Sequence, residues 1–172
     1  NSTALTDGAS SVFLASEEYA QKNNLPVLAW LSQARTSAID FVAGQGLLMA
    51  PTIAVSELLS ASGMTLQDFS LYEIHEAFAA QVLCTLKAWE DQEFCQEQLG
   101  LEQALGSIDL EKLNIHGSSL AYGHPFAATG ARILASLSKD LSQLGKGHGL
   151  ISICTAGGMG AAAILSAPDT PL

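Results

Sequence analysis

The chain has 172 residues, 48% of them apolar, and its 17 Asp and Glu against 7 Lys and Arg give a formal net charge of −10. The apolar content supports a buried core, whereas the acidic excess excludes nucleic-acid binding, which needs a basic surface. The sequence has no apolar run long enough for membrane insertion, and its three cysteines lack the CxxC spacing of a zinc site. The odd number of cysteines also argues against a disulfide framework, so we expect a reducing compartment, the cytoplasm or an organelle matrix.

The N-terminal part of the chain predicts two strands and a helix. Residues 1–8 lack Met and a basic segment, so we expect no signal peptide here and a polypeptide that begins further upstream. The apolar residues 9–15 predict a short buried strand. Ser16, followed by two glutamates, predicts the N-cap of a helix that closes before Pro26. Residues 27–31 then predict a second strand.

A second helix is predicted from residue 51 onward. Pro51 suits the first turn of a helix, because its missing N–H has no intrahelical partner there. Three apolar side chains at helical spacing, Val55, Leu58 and Leu59, predict a face that packs on the core. Gly63 suits the left-handed residue at which such a helix ends.

A strand followed by another helix is predicted around residue 75. Thr65 with Asp68 resembles a capping box and predicts a short turn. Residues 69–74 predict a strand, and a helix is expected to begin within residues 75–79. Apolar side chains then recur at the spacing of a core stripe, namely at Phe78, Val82, Leu86 and Trp89.

The C-terminal part predicts three strands and one long helix. Residues 113–115 predict a short strand, and residues 150–153 and 160–165 predict two strands joined as a hairpin by a glycine-rich turn. Leucines along one face mark the helix, which ends at Gly145: Leu134, Leu137, Leu141 and Leu144. Together the elements predict an α/β layered fold in which helices cover the faces of a mixed sheet.

Three side chains carry candidate chemistry. His124 follows a glycine and precedes a proline, and an imidazole held in such a loop can act as a base near neutral pH. Cys154 ends an apolar strand at a turn of small residues, whose amides can bind an oxyanion. His75 lies between a strand and a helix, a common place for functional groups. Taken singly, each has a plainer interpretation: a loop histidine, a small buried thiol and a satisfied core histidine.

Three motifs follow one another in a specific order. His-Glu-Ala-Phe-Ala occupies residues 75–79, Gly-Ser-Ser-Leu-Ala-Tyr-Gly-His-Pro-Phe-Ala-Ala-Thr-Gly-Ala-Arg occupies residues 117–132, and Cys-Thr-Ala-Gly-Gly-Met-Gly occupies residues 154–160. In this order they resemble the C-terminal half of thiolases, and residues 1–10 resemble the segment that leads into that half. Most thiolases carry Asn where this chain has His75. A histidine there resembles the fatty-acid β-oxidation thiolases that partner a hydratase/dehydrogenase subunit.

The resemblance implies a role for each candidate residue. His124 would activate a nucleophilic cysteine and contribute to an oxyanion hole. Cys154 would be the acid/base that protonates the acetyl-CoA enolate. His75 would hold a water in the first oxyanion hole, and the N–H of Ala156 would lie in the second. The family's nucleophilic cysteine has no matching position here, so we expect the chain to be inactive alone.

The resemblance also implies a domain boundary, substrates and partners. Residues 1–26 would end the N-terminal thiolase domain with a strand and a helix, and residues 27–172 would form the C-terminal domain. Coenzyme A and acyl-CoA would be substrates, with no bound cofactor and no metal. We expect a homo-oligomer and a hydratase/dehydrogenase partner subunit, with no nucleic-acid partner.

Other functions remain open at this point. A decarboxylating condensing enzyme would share the layered fold but usually lacks the terminal Cys-x-x-Gly-Gly turn, so Cys154 argues against it. A biosynthetic acetoacetyl-CoA thiolase and a non-catalytic homologue that binds acyl groups are the further alternatives. A nucleophilic cysteine upstream would favour the enzymes.

Overall fold

The computed structural model describes residues 1–170, and within them the chain forms a mixed sheet of four strands. These are β1 (Trp30–Ala38), β2 (Leu71–Ile74), β3 (His148–Thr155) and β4 (Met159–Ser166). Their order across the sheet is β1-β4-β3-β2. Strand β4 pairs antiparallel with both β1 and β3, whereas β2 and β3 run parallel. The predicted α/β class with a mixed sheet is therefore confirmed.

Helices cover both faces of this sheet. Within residues 1–170 they are α1 (Glu17–Lys22), α2 (Ala50–Ser62), α3 (Ala79–Glu90), α4 (Gln92–Leu99), α5 (Ser119–Tyr122) and α6 (Ala128–Leu144). Short 3-10 turns lie at Leu66–Asp68 and Leu110–Lys112. A search of residues 1–170 finds no helix with the length and apolar character needed to cross a membrane.

The core has two parts because successive side chains of a strand point to opposite faces. Leu150 of β3 packs in a cluster with the buried side of α2 and α3, which includes Leu58 and Trp89. The next residue, Ile151, packs in a second cluster with Leu137 and other side chains of α6. The sheet is thus a layer between α2 and α3 on one face and α6 on the other.

Most helix ends and the hairpin follow the local signals. Ser16 caps α1 by accepting a hydrogen bond from the Tyr19 N–H at 3.2 Å. Pro51 lies in the first turn of α2, and Gly63 ends that helix with φ +71°. The capping box of Thr65 and Asp68 forms as predicted. The other confirmed features are the end of α6 at Gly145 and the β3–β4 hairpin.

Two predictions for the N-terminal part are wrong. Residues 9–15 form no strand; they are mostly exposed and make no ladder, and the Ser10 hydroxyl donates to the Ala128 carbonyl instead. The strand predicted at residues 27–31 begins only at Trp30 and continues to Ala38, because its pairing with β4 covers that whole length.

The helix predicted to begin within residues 75–79 begins at Ala79, the last residue of that range. The preceding backbone is bound by the start of the chain, because the Thr3 N–H donates to the Ala77 carbonyl and the Ala79 N–H donates to the Asn1 carbonyl. The predicted core stripe is wrong at its first position. Phe78 precedes the helix and is 46% exposed, whereas the later positions Val82 and Trp89 are buried.

Two short strands also differ from expectation. The strand predicted at residues 69–74 begins at Leu71. Residues 113–115 form no strand: Leu113 makes one isolated bridge to Tyr72. Asn114 then adopts φ +47°, which ends the extended geometry.

Candidate active site

Two neighbouring strands carry candidate residues to one edge of the sheet. Strands β2 and β3 are parallel, so their C-terminal ends lie at the same edge. Ile74 ends β2 opposite Ser152, and the His75 N–H donates to the Ser152 carbonyl at 2.9 Å. Cys154 follows two residues later on β3. The sheet therefore carries His75 and Cys154 to the same edge.

His75 is a buried, neutral imidazole. Its side chain is 1% exposed, and its Nδ1 lies 2.8 Å from the Ser119 hydroxyl. Burial lowers the pKa of His75 to about 4, and the neighbouring His124 and Arg132 add to that shift. At neutral pH the ring is therefore uncharged and can donate from one nitrogen while accepting at the other.

His124 lies directly against His75. The centroids of the two rings are 4.5 Å apart, at an interplanar angle of 44°. The Nδ1 of His124 lies 2.7 Å from the Thr129 hydroxyl of α6, and its backbone N–H donates to the Ala4 carbonyl at 2.8 Å. Burial lowers the pKa of His124. The ring is thus fixed at one nitrogen and at the backbone, in a neutral state suited to accept a proton.

The glycine before His124 is required by a close approach of the backbone. Gly123 has φ +88°, a conformation that side chains rarely adopt. A Cβ at this position would lie 2.5 Å from the Cγ2 of Thr6. The N-terminal segment and the histidine loop therefore pack together only if residue 123 is glycine.

Cys154 is a protonated thiol rather than a thiolate. Its side chain is buried, and Sγ lies 3.6 Å from the amide oxygen Oε1 of Gln81 on α3. Burial raises the pKa of Cys154 to about 11. A thiol with this pKa is a weak nucleophile at neutral pH but can donate a proton to a strongly basic carbon.

The turn after β3 carries Ala156. Gly157 and Gly158 have φ of +85° and +73°, and the Gly158 carbonyl accepts a hydrogen bond from the Ile39 N–H at 2.9 Å. A Cβ on Gly158 would lie 2.7 Å from the Phe41 ring, so this position also needs glycine. Ala156 itself lies exposed at the start of the turn. The structure thus brings His75 and His124 into contact and presents Ala156 just beyond Cys154.

Several polar residues that support the site were not singled out from the sequence. Glu76 accepts hydrogen bonds from the Asn114 amide at 2.8 Å and from the Leu120 N–H at 3.0 Å. Ser119 and Thr129 each contact a site histidine. Glu76, Ser119 and Thr129 lie inside the motifs of residues 75–79 and 117–132, and this position was the signal that could have found them.

A comparison with known proteins identifies the family. A family profile described as "Thiolase, C-terminal domain" matches residues 25–167. The chain belongs to the thiolase family. The 3-ketoacyl-CoA thiolase of Yersinia pestis (strain Pestoides F) is 47% identical over 165 residues, which cover 96% of this chain and 37% of that protein. The resemblance drawn from the three motifs is therefore confirmed.

Solved thiolase structures share the fold. Human mitochondrial 3-ketoacyl-CoA thiolase is 32% identical with a TM-score of 0.68, over 90% of this chain and 34% of that one. The Acat5 thiolase of Ascaris suum, solved in complex with coenzyme A, is 28% identical with a TM-score of 0.68, over 89% and 34% of the two chains. The chain thus spans little more than a third of the length of the thiolases it matches.

Proposed function

We propose that this chain supplies the proton-transfer part of a 3-ketoacyl-CoA thiolase site. The reaction is thiolytic: a second CoA cleaves 3-ketoacyl-CoA into acetyl-CoA and a shortened acyl-CoA in fatty-acid β-oxidation. The observation that carries the proposal is the contact of His75 with His124 at the sheet edge that also holds the Cys154 thiol. Two neutral imidazoles and a proton-bearing thiol suit a reaction that creates and protonates an enolate.

His124 is the proposed base for the nucleophilic cysteine. Thr129 engages Nδ1, which leaves Nε2 as the nitrogen that accepts a proton from the attacking thiol. Its lowered pKa keeps the ring unprotonated before that step. After the thiol has attacked, the Nε2–H of His124 can donate to the oxygen of the substrate.

Cys154 is the proposed proton carrier at the carbon that leaves as acetyl-CoA. When the carbon–carbon bond breaks, its electron pair forms an enolate, and the thiol of Cys154 protonates the enolate carbon. In the reverse direction the thiolate takes that proton from acetyl-CoA. A raised pKa favours the donor role, because the thiol stays protonated until a strong base forms beside it.

The two oxyanion holes use His75, His124 and Ala156. His75 would hold a water that, together with His124, binds the first oxyanion. The N–H of Ala156 would bind the second, beside the amide of the nucleophilic cysteine. The exposed turn that carries Ala156 supports this assignment, because its amide is free to face a substrate.

The nucleophile, the CoA site and the partners belong to the same proposal. We infer that the nucleophilic cysteine comes from polypeptide outside these 172 residues, so the chain alone is inactive. The boundary between residues 1–26 and 27–172 remains a prediction. A homo-oligomer, a hydratase/dehydrogenase partner and a bacterial cytoplasmic location, or a mitochondrial matrix as second choice, are inferred from the resemblance. The substrates coenzyme A and acyl-CoA would bind with no further cofactor.

A chimera tests the proposal. This chain replaces the 165 matched residues of the Yersinia pestis thiolase, and thiolysis of a 3-ketoacyl-CoA is measured with saturating CoA. We expect turnover in the chimera, loss of acyl-enzyme formation in His124→Ala, and normal acylation in the matched control His148→Gln. Binding of acyl-CoA without turnover in a folded chimera would favour the non-catalytic homologue. A preference for acetoacetyl-CoA over longer substrates would favour the biosynthetic enzyme.

A further inference from the structure

Arg132 of α6 connects the buried part of the site to the helix layer. Its Nη2 lies 3.2 Å from the Ser118 hydroxyl and 3.3 Å from the Ser119 hydroxyl. Its Nη1 lies 3.9 Å from the Glu73 carboxylate, and its guanidinium lies 5.7 Å from the centroid of the Tyr122 ring. These contacts hold the guanidinium in one position, beside the Ser119 hydroxyl that contacts His75.

The hydrogen bonds of Ser119 have one consistent direction. An arginine only donates, so the Ser119 oxygen accepts from Arg132. Ser119 is fully buried, and within residues 1–170 the other polar group bonded to its hydroxyl is Nδ1 of His75, at 2.8 Å. If Nδ1 carried the proton, the Ser119 hydroxyl proton would be buried without an acceptor, at a cost comparable to a lost hydrogen bond. The hydroxyl therefore donates to Nδ1.

We propose that Arg132 and Ser119 are positioning residues that hold His75 as the tautomer with its proton on Nε2. This assignment builds on the proposed function, since the Nε2–H is the group that would bind the water of the first oxyanion hole. An Asn at this place, as most thiolases have, also presents an N–H donor from its amide. A histidine can replace that donor only if its tautomer is fixed, and the Arg132–Ser119 pair fixes it.

The positive charge of Arg132 has a second effect on the same ring. A cation close to His75 disfavours a second proton on the imidazole, and Arg132 contributes in this direction to the lowered pKa. A doubly protonated ring could not accept from Ser119, and the Ser119 hydroxyl proton would then be buried without an acceptor. Arg132 thus stabilises both the neutral state and the Nε2–H tautomer.

Histidine ¹⁵N NMR of the 172-residue chain at pH 7 tests the proposal directly. Long-range ¹H–¹⁵N spectra distinguish the two tautomers, and His75→Gln assigns the His75 signals. We expect the Nε2–H tautomer in the wild type. In Ser119→Ala the ratio of the tautomers should change by about tenfold toward Nδ1–H, as expected for the loss of one buried hydrogen bond. Ser118→Ala is the matched control, because Ser118 contacts Arg132 but not His75, and it should leave the ratio unchanged.

A second variant keeps the test decisive if Ser119→Ala does not fold. In Arg132→Gln the new amide oxygen can accept the Ser119 hydroxyl proton, which lets the Ser119 oxygen accept from Nδ1–H, so the Nδ1–H tautomer should rise. An Nδ1–H tautomer in the wild type would overturn the proposal, as would an unchanged ratio in folded Ser119→Ala or Arg132→Gln. These spectra need no turnover. A chimera that fails to catalyse thiolysis while His75 shows the expected tautomer would therefore refute the proposed function and not the positioning role.

Discussion

The rings of His75 and His124 are in contact, with centroids 4.5 Å apart, although each comes from a different loop. The first follows β2 and the second follows α5. Each ring is held at Nδ1 by a hydroxyl group, Ser119 for His75 and Thr129 for His124. The hydroxyl groups thus engage the same nitrogen of both rings, and the closeness of the rings makes a charge on His75 unfavourable beside His124.

The burial of His75 makes stability depend on pH in the acid range. The unfolded imidazole binds a proton near pH 6.5, whereas the folded one does so only near pH 4. Between pH 4 and pH 6.5 the unfolded state therefore binds more protons than the folded state. The stability that depends on a neutral His75 is complete above pH 6.5 and is lost as the pH falls toward 4.

Urea unfolding at pH 7 and pH 5 measures this effect. From pH 7 to pH 5, the free energy of unfolding of the wild type should fall by about 1–2 kcal/mol more than that of His75→Gln. His148→Gln, on β3, is the matched control for a histidine substitution elsewhere in the sheet. Equal losses in wild type and His75→Gln would contradict a buried neutral His75.

Glu73 should have the opposite pH dependence. Its carboxylate is almost fully buried, and within residues 1–170 its Oε2 has no hydrogen-bond partner. Burial raises its pKa to about 7, against the attraction of Arg132. The folded state thus binds more protons than the unfolded state between pH 4.5 and 7, so the free energy of unfolding falls as pH rises through that window.

The substitution Glu73→Gln removes the carboxyl group whose ionisation the folded state disfavours. Its unfolding free energy relative to the wild type should increase by about 1–3 kcal/mol from pH 5 to pH 8. The exposed Glu90→Gln should show no such change. If the difference in unfolding free energy between Glu73→Gln and the wild type were the same at pH 5 and pH 8, Glu73 would ionise at its ordinary pKa.

The three free cysteines should react in a defined order with iodoacetamide. Cys84 is exposed on α3 and should be alkylated first at pH 7.5. Cys154 is buried with a raised pKa, and Cys95 is buried against the carbonyls of α3, so both should react much more slowly. Peptide mass spectrometry over time gives the order, and alkylation of Cys154 as fast as Cys84 would exclude the protonated thiol.

Two glycines should respond in opposite ways to alanine. A Cβ on Gly160 of β4 would lie 2.5 Å from the backbone nitrogen of Pro51 in α2, so Gly160→Ala should destabilise by about 1–3 kcal/mol. Gly130 in α6 has its nearest neighbour, the Ile153 side chain, at 3.8 Å. Gly130→Ala should stabilise by roughly 0.5–1 kcal/mol. Thermal unfolding of both variants would contradict this packing if their shifts had the same sign.

Local signals predicted the parts of the fold that depend on nearby residues. The cap at Ser16, the helix end at Gly63 and the β3–β4 hairpin involve groups within a few positions of one another. Predictions failed where distant backbone intervened. The strand expected at residues 27–31 begins only at Trp30 and continues to Ala38 because β4 pairs with it along that length, and no local pattern contains that pairing.

The site follows the same division. His75, His124 and Cys154 could be proposed as site residues from the sequence because each lies in a motif with a specific order. Their partners Ser119, Thr129 and Arg132 contact them, or each other, through side-chain hydrogen bonds. Those hydrogen bonds depend on how α6 packs against the histidine loops, which no local sequence pattern contains.

Hydrogen exchange at the acetyl group tests the central claim most directly. The chimera is incubated with acetyl-CoA in D₂O, and deuterium at the methyl carbon is followed by NMR. If Cys154 carries the proton, exchange should occur in the chimera and in Cys84→Ala, and should fall at least about a hundredfold in Cys154→Ala, as for loss of a general acid–base group. Exchange in Cys154→Ala at the rate of the unsubstituted chimera would contradict the account.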